Sequence, residues 1–323
     1  MKNIFMTGIT GLLGTNLANK LLEQGYHVTA LARNPEKYTG KYTNQLNLVS
    51  MHLEDDYDFY LNKIDIVIHI AAETRTNLLT YAAYEKVNYE ATIRLFEKSI
   101  KHNILKFVFI STANTIGYGN LEFLGTETQK IKEPFDKLYY AQSKLKAEEY
   151  LLSHQTKIGV TILNPTFMIG PYDSKPSSGK IILMGMNKRW VFYPPGGKNF
   201  VAVNDVVDAI FKSFNAKSKR EKYLIAGENL SYKAFFKKLN HNTKQRTVLI
   251  PIPKILLLSL GVFGNFLRFC KIKTSLHLVN MKTLCIKNYY SNHKSINDLN
   301  VQYSPLDNAI TESVNYFRER QMI

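Results

Sequence analysis

Short apolar runs alternate with longer amphipathic segments in the first half of the chain. Runs such as Ile66-Val67-Ile68 are apolar at every position, which is typical of strands buried on both faces of a sheet. Between such runs, Gly14–Gln24 and Tyr89–His102 repeat their apolar residues at helical spacing. The predicted strands are Asn3–Thr7, His27–Ala32, Asn47–His52, Ile64–Ile70, Phe107–Ser111 and Gly159–Asn164. This alternation predicts an α/β fold with a doubly wound parallel sheet.

The pattern changes after Pro165. Prolines and glycines interrupt the chain there, as in Pro194-Pro195-Gly196-Gly197, and they indicate irregular connections. We therefore predict a sheet domain at residues 1–165 and a smaller C-terminal α/β lobe at 166–323 that binds substrate. Residues 199–214 are expected to return to the first domain.

The composition is that of a globular protein, because 45% of the 323 residues are hydrophobic. The two cysteines, Cys270 and Cys285, fit neither a disulfide framework nor the spacing of a metal site, so no metal is predicted. The apolar run Ile4–Met6 follows the first residue so closely that no secretory signal fits before it. A cytoplasmic location is therefore expected.

Positive charge is concentrated in one part of the chain. The net charge is +16, and the segment from Asn215 to Lys294 holds sixteen Lys and Arg residues against Glu221 and Glu228. Such a segment is typical of a solvated surface, an anionic lipid contact or a nucleic-acid contact. Neither zinc-finger spacing nor an aromatic and basic strand motif accompanies the charge, so no nucleic-acid partner is predicted.

An apolar stretch, Ile255–Phe269, lies within this basic segment. Its 15 residues, interrupted by Gly261 and Gly264, are too few to span a bilayer core of about 30 Å. Apolar residues recur at helical spacing at Leu256, Leu257, Leu260, Phe263 and Leu267. This spacing favours a helix packed in the core or against a second subunit, and a homodimer is left open. Peripheral membrane contact through 255–273 is the alternative.

The segment Thr7-Gly8-Ile9-Thr10-Gly11-Leu12-Leu13-Gly14 follows the first strand and opens the first helix. Its three glycines suit a tight turn, a close approach of the backbone to phosphates and close packing of the helix. The free N–H groups at a helix N-terminus attract a pyrophosphate. We therefore predict that residues 1–165 form a Rossmann-type NAD(P)-binding domain, an ordinary βα loop being the alternative. The predicted cofactor contacts in this turn are Gly8, Thr10, Gly11, Leu12, Leu13 and Gly14.

The end of the second predicted strand selects the cofactor. NAD sites usually place an acidic residue there for the ribose 2′-hydroxyl, whereas NADP sites admit an arginine for the 2′-phosphate. In this chain Arg33 follows Ala32, no acid is present at this point, and Lys37 is near. NADP(H) is therefore the predicted cofactor, and NAD(H) stays open.

The run Tyr140-Ala141-Gln142-Ser143-Lys144 is the candidate reactive element. Residues four apart share a helical face, so Lys144 is expected to lower the pKa of Tyr140 from about 10 toward the working range. Ser111 and Thr112 supply hydroxyls at the end of a predicted strand, where ligands bind in open α/β sheets. Thr112 is the candidate to hold the reacting oxygen, and the choice between it and Ser111 stays open.

These motifs, in this order and spacing, resemble the extended short-chain dehydrogenase/reductase superfamily. Within it, the chain is similar to the branch of dihydroflavonol reductases and 3β-hydroxysteroid dehydrogenases. The resemblance covers nearly the whole chain. It rests on TGITGLLG at 7–14, DIVIHIAA at 65–72, VNYEAT at 87–92, ISTA at 110–113, YAQSK at 140–144, LNPTFMIGP at 163–171 and NFVAVNDVVDAI at 199–210.

The resemblance implies a role for each matching residue. Tyr140 would be the general acid and base, Lys144 would bind the nicotinamide ribose, and Thr112 would hold the substrate oxygen. Further cofactor contacts are implied for Leu53 near the adenine, for Ala71 and Ala72, and for Pro165 and Met168 beside the nicotinamide, while Asn88 would steady a helix. One departure is informative. Lys198 precedes Asn199-Phe200 where nucleotide-sugar members carry an arginine, which disfavours a UDP- or TDP-sugar substrate.

The sequence therefore predicts an NADP(H)-dependent oxidoreductase that transfers a hydride between nicotinamide and a carbonyl or secondary alcohol. Its substrate is expected to be small and apolar, because aromatic and methionine residues are frequent in the expected pocket segments Tyr118–Phe123 and Pro171–Trp190. Two alternatives stay open. One is a nucleotide-sugar epimerase or dehydratase with retained NAD(P), and the other is a membrane-peripheral dehydrogenase that modifies a sterol or lipid.

Overall fold

The computed structural model describes residues 2–154, 157–216 and 220–323. The strands are β1 Asn3–Thr7, β2 His27–Ala32, β3 Leu46–Ser50, β4 Ile66–His69, β5 Lys106–Ile110, β6 Gly159–Pro165, β7 Phe167–Ile169, β8 Trp190–Tyr193, β9 Gly197–Ala202, β10 Arg220–Ile225, β11 Glu228–Ser231, β12 Val248–Pro251 and β13 Lys287–Asn288. The helices are α1 Leu12–Glu23, α2 Asp58–Leu61, α3 Ala82–Glu85, α4 Ala91–Lys101, α5 Tyr139–Ser153, α6 Lys180–Gly185, α7 Val203–Ser213, α8 Tyr232–Thr243, α9 Lys254–Phe269, α10 Leu278–Cys285, α11 His293–Leu299 and α12 Leu306–Glu319. A π-helical turn at Lys86–Glu90 joins α3 to α4.

The main sheet has the strand order β3-β2-β1-β4-β5-β6-β10, and all its pairings are parallel. Alternate side chains of β1 enter different apolar clusters, because Ile4 packs with α1 and α7 while Phe5 packs with the layer of α4 and α5. Helices therefore cover both faces of the sheet. The predicted Rossmann-type, doubly wound parallel sheet is confirmed, and all six predicted strands are present.

The second lobe has its own apolar cluster, built from β7, β8, β9, α6, α8 and α12. Its strands form the order β11-β9-β13, with β7 also paired to β9, and a separate pair of β8 and β12. The sequence predicts that residues 199–214 return to the first domain. They begin in β9, which belongs to the second lobe, and continue in α7, which packs on α1 of the first domain. Segments after residue 214 belong to the first domain as well, because β10 completes the main sheet and α11 packs on β10 and α7.

Parallel pairing brings the carboxyl ends of the main strands to one edge of the sheet. The segments that leave this edge are the glycine turn after β1, Ala71-Ala72 after β4, Ser111-Thr112 after β5 and the chain that follows Pro165 at the end of β6. Every candidate catalytic element except α5 therefore starts from the same edge.

Candidate active site

The turn between β1 and α1 packs directly against the chain that follows β4. Gly8 has a φ of +79°, and a Cβ at this position would lie 2.7 Å from the backbone nitrogen of Ala71. A Cβ on Gly14 would lie 2.0 Å from the carbonyl oxygen of Gly8. Gly11 precedes α1 without any side-chain cap, so the first N–H groups of the helix remain free for a ligand. These features fit the pyrophosphate of a dinucleotide.

The other predicted cofactor residues occupy the same edge. The side chains of Leu12 and Leu13 are buried in the apolar core, so only their backbone N–H groups are available to a cofactor. The backbone nitrogen of Ala71 donates to the Thr7 hydroxyl at 3.2 Å, which ties the end of β4 to β1. The remaining positions are Thr10, Ala72, Leu53 and Met168, which are half-buried, and Pro165, which is buried.

Arg33 is exposed and directly follows β2. Burial raises the pKa of Glu73, but hydrogen bonds from Arg75 and the charges of Arg75 and Arg33 lower it overall. The guanidinium of Arg33 is therefore close enough to the loop after β4 to act on a charge there. An exposed cation at this point has the chemistry that a 2′-phosphate requires.

Tyr140 and Thr112 meet in the structure. Against the larger raising effect of burial, the side chain of Thr112, which follows β5, lies close enough to the phenol of Tyr140 to lower its pKa. The neighbouring Ser111 instead donates its hydroxyl to the buried carboxyl group of Glu148. The geometry thus favours Thr112 over Ser111 as the hydroxyl that acts with Tyr140.

Lys144 lies one turn after Tyr140 and is only 1% exposed. Its Nζ donates to the Ile110 carbonyl at 2.7 Å and lies 4.0 Å from the centre of the Phe109 ring. Burial lowers the pKa of Lys144 to about 7, against a smaller raising effect of Glu148. Burial raises the pKa of Tyr140 to about 12. The expected lowering of the tyrosine pKa is therefore wrong for this arrangement, because desolvation of the phenol dominates.

A buried polar network, which was not predicted from the sequence, contacts the backbone carbonyl of Thr112. Glu148 Oε1 accepts hydrogen bonds from Thr115 Oγ1 and Asn164 Nδ2, both at 2.7 Å, as well as from Ser111. Asn164 Nδ2 also donates to the Thr112 carbonyl at 3.1 Å, and Thr115 Oγ1 lies 2.8 Å from the same carbonyl oxygen. Burial raises the pKa of Glu148. Its position four residues after Lys144 was a signal in the sequence that could have found it.

Asn88, on the π-helical turn, couples the loop after β4 to α5. Its Oδ1 accepts from the backbone nitrogen of Glu73 at 2.7 Å, and its Nδ2 donates to the Glu73 carbonyl at 3.1 Å. The same Nδ2 donates to Ser143 Oγ at 3.0 Å. Asn88 therefore holds the reactive helix in place, which goes beyond the helix-steadying role that the resemblance implied.

A cavity of about 110 Å³ adjoins Thr112. Its walls are Thr112, Ala113, Asn114, Pro165, Thr166, Phe167, Lys198, Asn199, Asn288 and Tyr290. None of these residues belongs to Tyr118–Phe123 or Pro171–Trp190, and most are polar, so this cavity is not the apolar pocket expected from the sequence, which stays a prediction. The reason is that the segments after β5 and β6, together with strands β9 and β13 of the second lobe, bring their own polar side chains to this place.

In the part of the chain that the structure describes, two polar groups of the cavity wall lack the partner that such a group usually has in a protein: a lysine lacks an ion pair and an amide oxygen lacks a hydrogen bond. Within residues 2–154, 157–216 and 220–323, no carboxylate lies within ion-pair distance of Lys198, whose Nζ is 5.2 Å from the centre of the Phe167 ring. Burial lowers the pKa of Lys198 to about 8. Asn288 is 5% exposed, and its Oδ1 is buried without a hydrogen bond. The cavity therefore offers a cation and a hydrogen-bond acceptor to a ligand.

The described part of the chain contains no group of three or more His, Cys, Asp or Glu side chains placed to hold a metal. Cys270 and Cys285 are free thiols. Among the helices of the described residues, none is both long enough and apolar enough to cross a membrane.

Comparisons with known proteins agree with this geometry. The chain is 27% identical over 324 residues to the protein named "Putative dihydroflavonol 4-reductase" of Synechocystis sp., with 97% of this chain and 94% of that protein covered. It is 29% identical to sterol-4-alpha-carboxylate 3-dehydrogenase, decarboxylating, of Dictyostelium discoideum, with 78% and 81% covered. The crystal structure of UDP-glucose 4-epimerase from Thermotoga maritima shares the fold, with a TM-score of 0.76, 22% identity and 99% of both chains covered.

The model of the NAD dependent epimerase/dehydratase family matches residues 4–226, which include the glycine turn, Thr112, Tyr140 and Lys144. That span takes in the whole main sheet and most of the cavity wall. The chain therefore belongs to the NAD dependent epimerase/dehydratase family, and it is an NAD(P)-dependent enzyme of the extended short-chain dehydrogenase/reductase superfamily.

Proposed function

We propose that this enzyme is an NADP(H)-dependent oxidoreductase that acts on a carbonyl or secondary alcohol of a small substrate. The observation that carries the proposal is the proximity of the Tyr140 phenol to the Thr112 side chain, which lines the cavity, with Lys144 one helical turn away from Tyr140. The bound nicotinamide would supply or accept the hydride. During reduction, Tyr140 would donate its phenolic proton to the substrate oxygen, and Thr112 would donate a hydrogen bond to the same oxygen. A tyrosine pKa of about 12 keeps the phenol protonated for this step.

The cofactor preference follows from Arg33. Calorimetric titration should show tighter binding of NADPH than of NADH, because the exposed guanidinium pairs with the 2′-phosphate. Arg33→Asp should reverse the order, whereas Arg318→Asp, at an exposed arginine on α12, should leave it unchanged. Equal affinities in the unmodified enzyme would contradict the preference for NADP(H) and favour NAD(H).

The residues of the cavity wall also indicate the chemical class of the substrate. Its mainly polar wall does not favour the apolar substrate expected from the sequence. We propose instead that the substrate carries a negatively charged group near the reacting carbon, which Lys198 would pair with, and a hydrogen-bond donor for Asn288. The relative named sterol-4-alpha-carboxylate 3-dehydrogenase, decarboxylating, supports a carboxylate at this place.

A nucleotide-sugar epimerase or dehydratase is the second candidate. It is favoured by the same lysine, which would also pair with a phosphate, and by a relative named UDP-glucose 4-epimerase in Vibrio cholerae, 25% identical over 263 residues. A membrane-peripheral sterol or lipid dehydrogenase would fit the carboxylate proposal without change. The cytoplasmic location expected from the sequence remains part of the proposal.

One screen separates these candidates. NADPH oxidation is followed with neutral ketones, with keto acids and with nucleotide sugars. The proposal expects net oxidation with keto acids, and it expects Lys198→Met to raise KM for keto acids by tenfold or more while KM for neutral ketones changes little. Turnover of a nucleotide sugar without net NADPH oxidation would assign the second candidate instead.

A further inference from the structure

Helix α9 has its large apolar side chains on the outside. Ile255, Val262, Phe266 and Phe269 are 79%, 59%, 60% and 87% exposed. At 3.6 residues per turn these four positions share one face of the helix. The helix is about 24 Å long at the usual rise of 1.5 Å per residue, so this face is an extended apolar surface.

The opposite face of α9 contacts the protein through two glycines and one leucine. The buried residues of the helix are Leu257, Gly261 and Gly264. A Cβ on Gly264 would lie 1.6 Å from the carbonyl oxygen of Leu276, and a Cβ on Gly261 would lie 2.8 Å from Leu278 Cα. The helix therefore packs closely against Leu276 and Leu278 at its two glycines. The prediction of a helix packed in the core is wrong for Leu256, Leu260 and Phe263, which are exposed, while packing against a second subunit stays a prediction.

The two ends of this surface carry exposed lysines. Lys254, Lys271 and Lys273, at the two ends of α9, are exposed. Within the described residues, no carboxylate lies within ion-pair distance of any of the three. The sequence has no Asp or Glu between Glu228 and Asp298. A partner for this face must therefore be apolar at its centre and acidic at its edges.

We propose that α9 lies in the surface of an anionic phospholipid membrane, with Phe263, Phe266 and Phe269 inserted between the lipids and the three lysines at the headgroups. An exposed apolar face of this size on a helix flanked by basic residues is the arrangement of an interfacial helix. A second copy of the chain fits less well, because apposed α9 faces would bring both sets of lysines together without an acid between them.

The arrangement would also place the active site near the membrane. Arg268 Nη2 on α9 donates to the Leu78 carbonyl at 2.7 Å, in the segment that continues from Ala72. Lys282 on α10 pairs with Glu133 at 2.5 Å, shortly before the reactive helix α5. The membrane-bound helix pair is thus tied to both chain segments that lead to the cofactor and to Tyr140.

Vesicle flotation tests the proposal with the full-length protein. The protein should float with vesicles of phosphatidylcholine and phosphatidylglycerol at low salt, float less at high salt, and stay in solution with phosphatidylcholine alone. Lys254→Gln, Lys271→Gln and Lys273→Gln combined should lower the partition coefficient about a hundredfold, since each basic residue near an anionic surface contributes about 1 kcal/mol. The combination of Lys63→Gln, Lys157→Gln and Lys175→Gln, also exposed, is the matched control.

The apolar contribution has its own control. Phe263→Ser, Phe266→Ser and Phe269→Ser combined should abolish flotation and leave NADPH binding intact, whereas Phe59→Ser, at a phenylalanine that is 79% exposed on α2, should change neither. Light scattering of the same proteins tests the second-copy alternative. Absence of flotation with the anionic vesicles overturns the proposal, and so does flotation that survives both triple substitutions. If the triple Phe variant converts a dimer to a monomer and the unmodified protein does not float, the face is a subunit contact.

Discussion

Two helices of this protein, α5 and α9, depart from the usual distribution of apolar and polar side chains. Helix α5 buries polar residues, whereas helix α9 exposes apolar ones. The face of α5 that packs inside includes polar residues, with Lys144 and Glu148 each 1% exposed. The face of α9 that meets solvent is apolar, with Phe269 87% exposed. In ordinary surface helices the apolar stripe is the buried one. Both departures cost stability, and a helix that departs from the usual pattern is a candidate for function.

The reason for the departure differs between the two helices. In α5 the buried polar groups are satisfied by the protein itself, because Lys144 donates to Ile110 and Glu148 accepts from Ser111, Thr115 and Asn164. In α9 nothing in the described residues covers the exposed side chains. Buried polar groups therefore indicate chemistry inside the site, while exposed apolar groups indicate a partner outside the chain.

The largest effect is expected at Tyr140. Tyr140→Phe should lower turnover at least about a hundredfold, because it removes the group that exchanges a proton with the substrate oxygen. NADPH binding, measured by calorimetry, should stay within about twofold of the unmodified enzyme. The neighbouring Tyr139→Phe is the matched control, since Tyr139 is 38% exposed and is not among the residues that line the cavity. Near-full activity of Tyr140→Phe would show that the buried polar groups of α5 do not indicate a catalytic site.

The buried network is tested by substitutions at Glu148. Glu148→Leu should lower the free energy of unfolding by about 3 kcal/mol or more, because three donors would lose their acceptor. Glu148→Gln keeps an oxygen at this position and should cost clearly less. Denaturant unfolding followed by circular dichroism gives both values. If the Leu variant were as stable as the Gln variant, the network would not hold Thr112 in the way described.

The glycine face of α9 gives the next effect. Gly264→Ala should destabilise the protein by about 2 kcal/mol, because the new methyl group would meet the Leu276 carbonyl. Phe266→Ser, on the exposed face of the same helix, should change stability by no more than about 0.5 kcal/mol. Thermal unfolding of the two variants side by side measures this contrast. Similar losses at both positions would show that the outer face is packed after all.

A further effect is a dependence of stability on pH. The pKa of Lys144 is lowered to about 7 in the folded protein from an ordinary value of 10.5. Between these values the unfolded chain binds more protons, so the free energy of unfolding should rise from pH 7 to pH 9.5. Lys106 and Lys198, each with a pKa lowered to about 8, act in the same direction.

Lys144→Met should flatten this rise, because it removes the group with the lowest of the three lysine pKa values. Lys146→Met is the control on the same helix, since hydrogen bonding to Glu85 raises the pKa of Lys146. Urea unfolding at pH 7 and pH 9.5 gives the slope for each protein. An unchanged slope in Lys144→Met would mean that Lys144 is not desolvated as the structure shows.

The fold was predictable because its signals are local. Apolar runs such as Ile66–His69 identify buried strands directly, and the glycines at 8, 11 and 14 mark a turn in which the backbone leaves no room for a side chain at positions 8 and 14. The spacing of Tyr140 and Lys144 is local as well, since one helical turn separates them. Sequence patterns within about ten residues were enough for these features.

The features that the sequence did not predict depend on contacts between distant segments. The raised pKa of Tyr140 results from burial, which spacing on a helix does not report. The outward face of α9 results from the close approach of Gly264 to Leu276, so the leucine pattern alone pointed to the wrong face. The polar cavity combines residues from β6, β9 and β13, and the first and last of these strands lie more than a hundred positions apart in the chain.

The central claim is that hydride passes between the cofactor and the substrate carbon while Tyr140 exchanges the proton. The most direct measurement uses NADPH deuterated at either face of C4, with mass spectrometry of the alcohol formed from a keto-acid substrate. The account predicts that one of the two labelled cofactors gives alcohol with one deuterium at the carbinol carbon, and that the rate falls at least about a hundredfold in Tyr140→Phe. Alcohol without deuterium from either cofactor, or deuterium transfer at full rate in Tyr140→Phe, would contradict it.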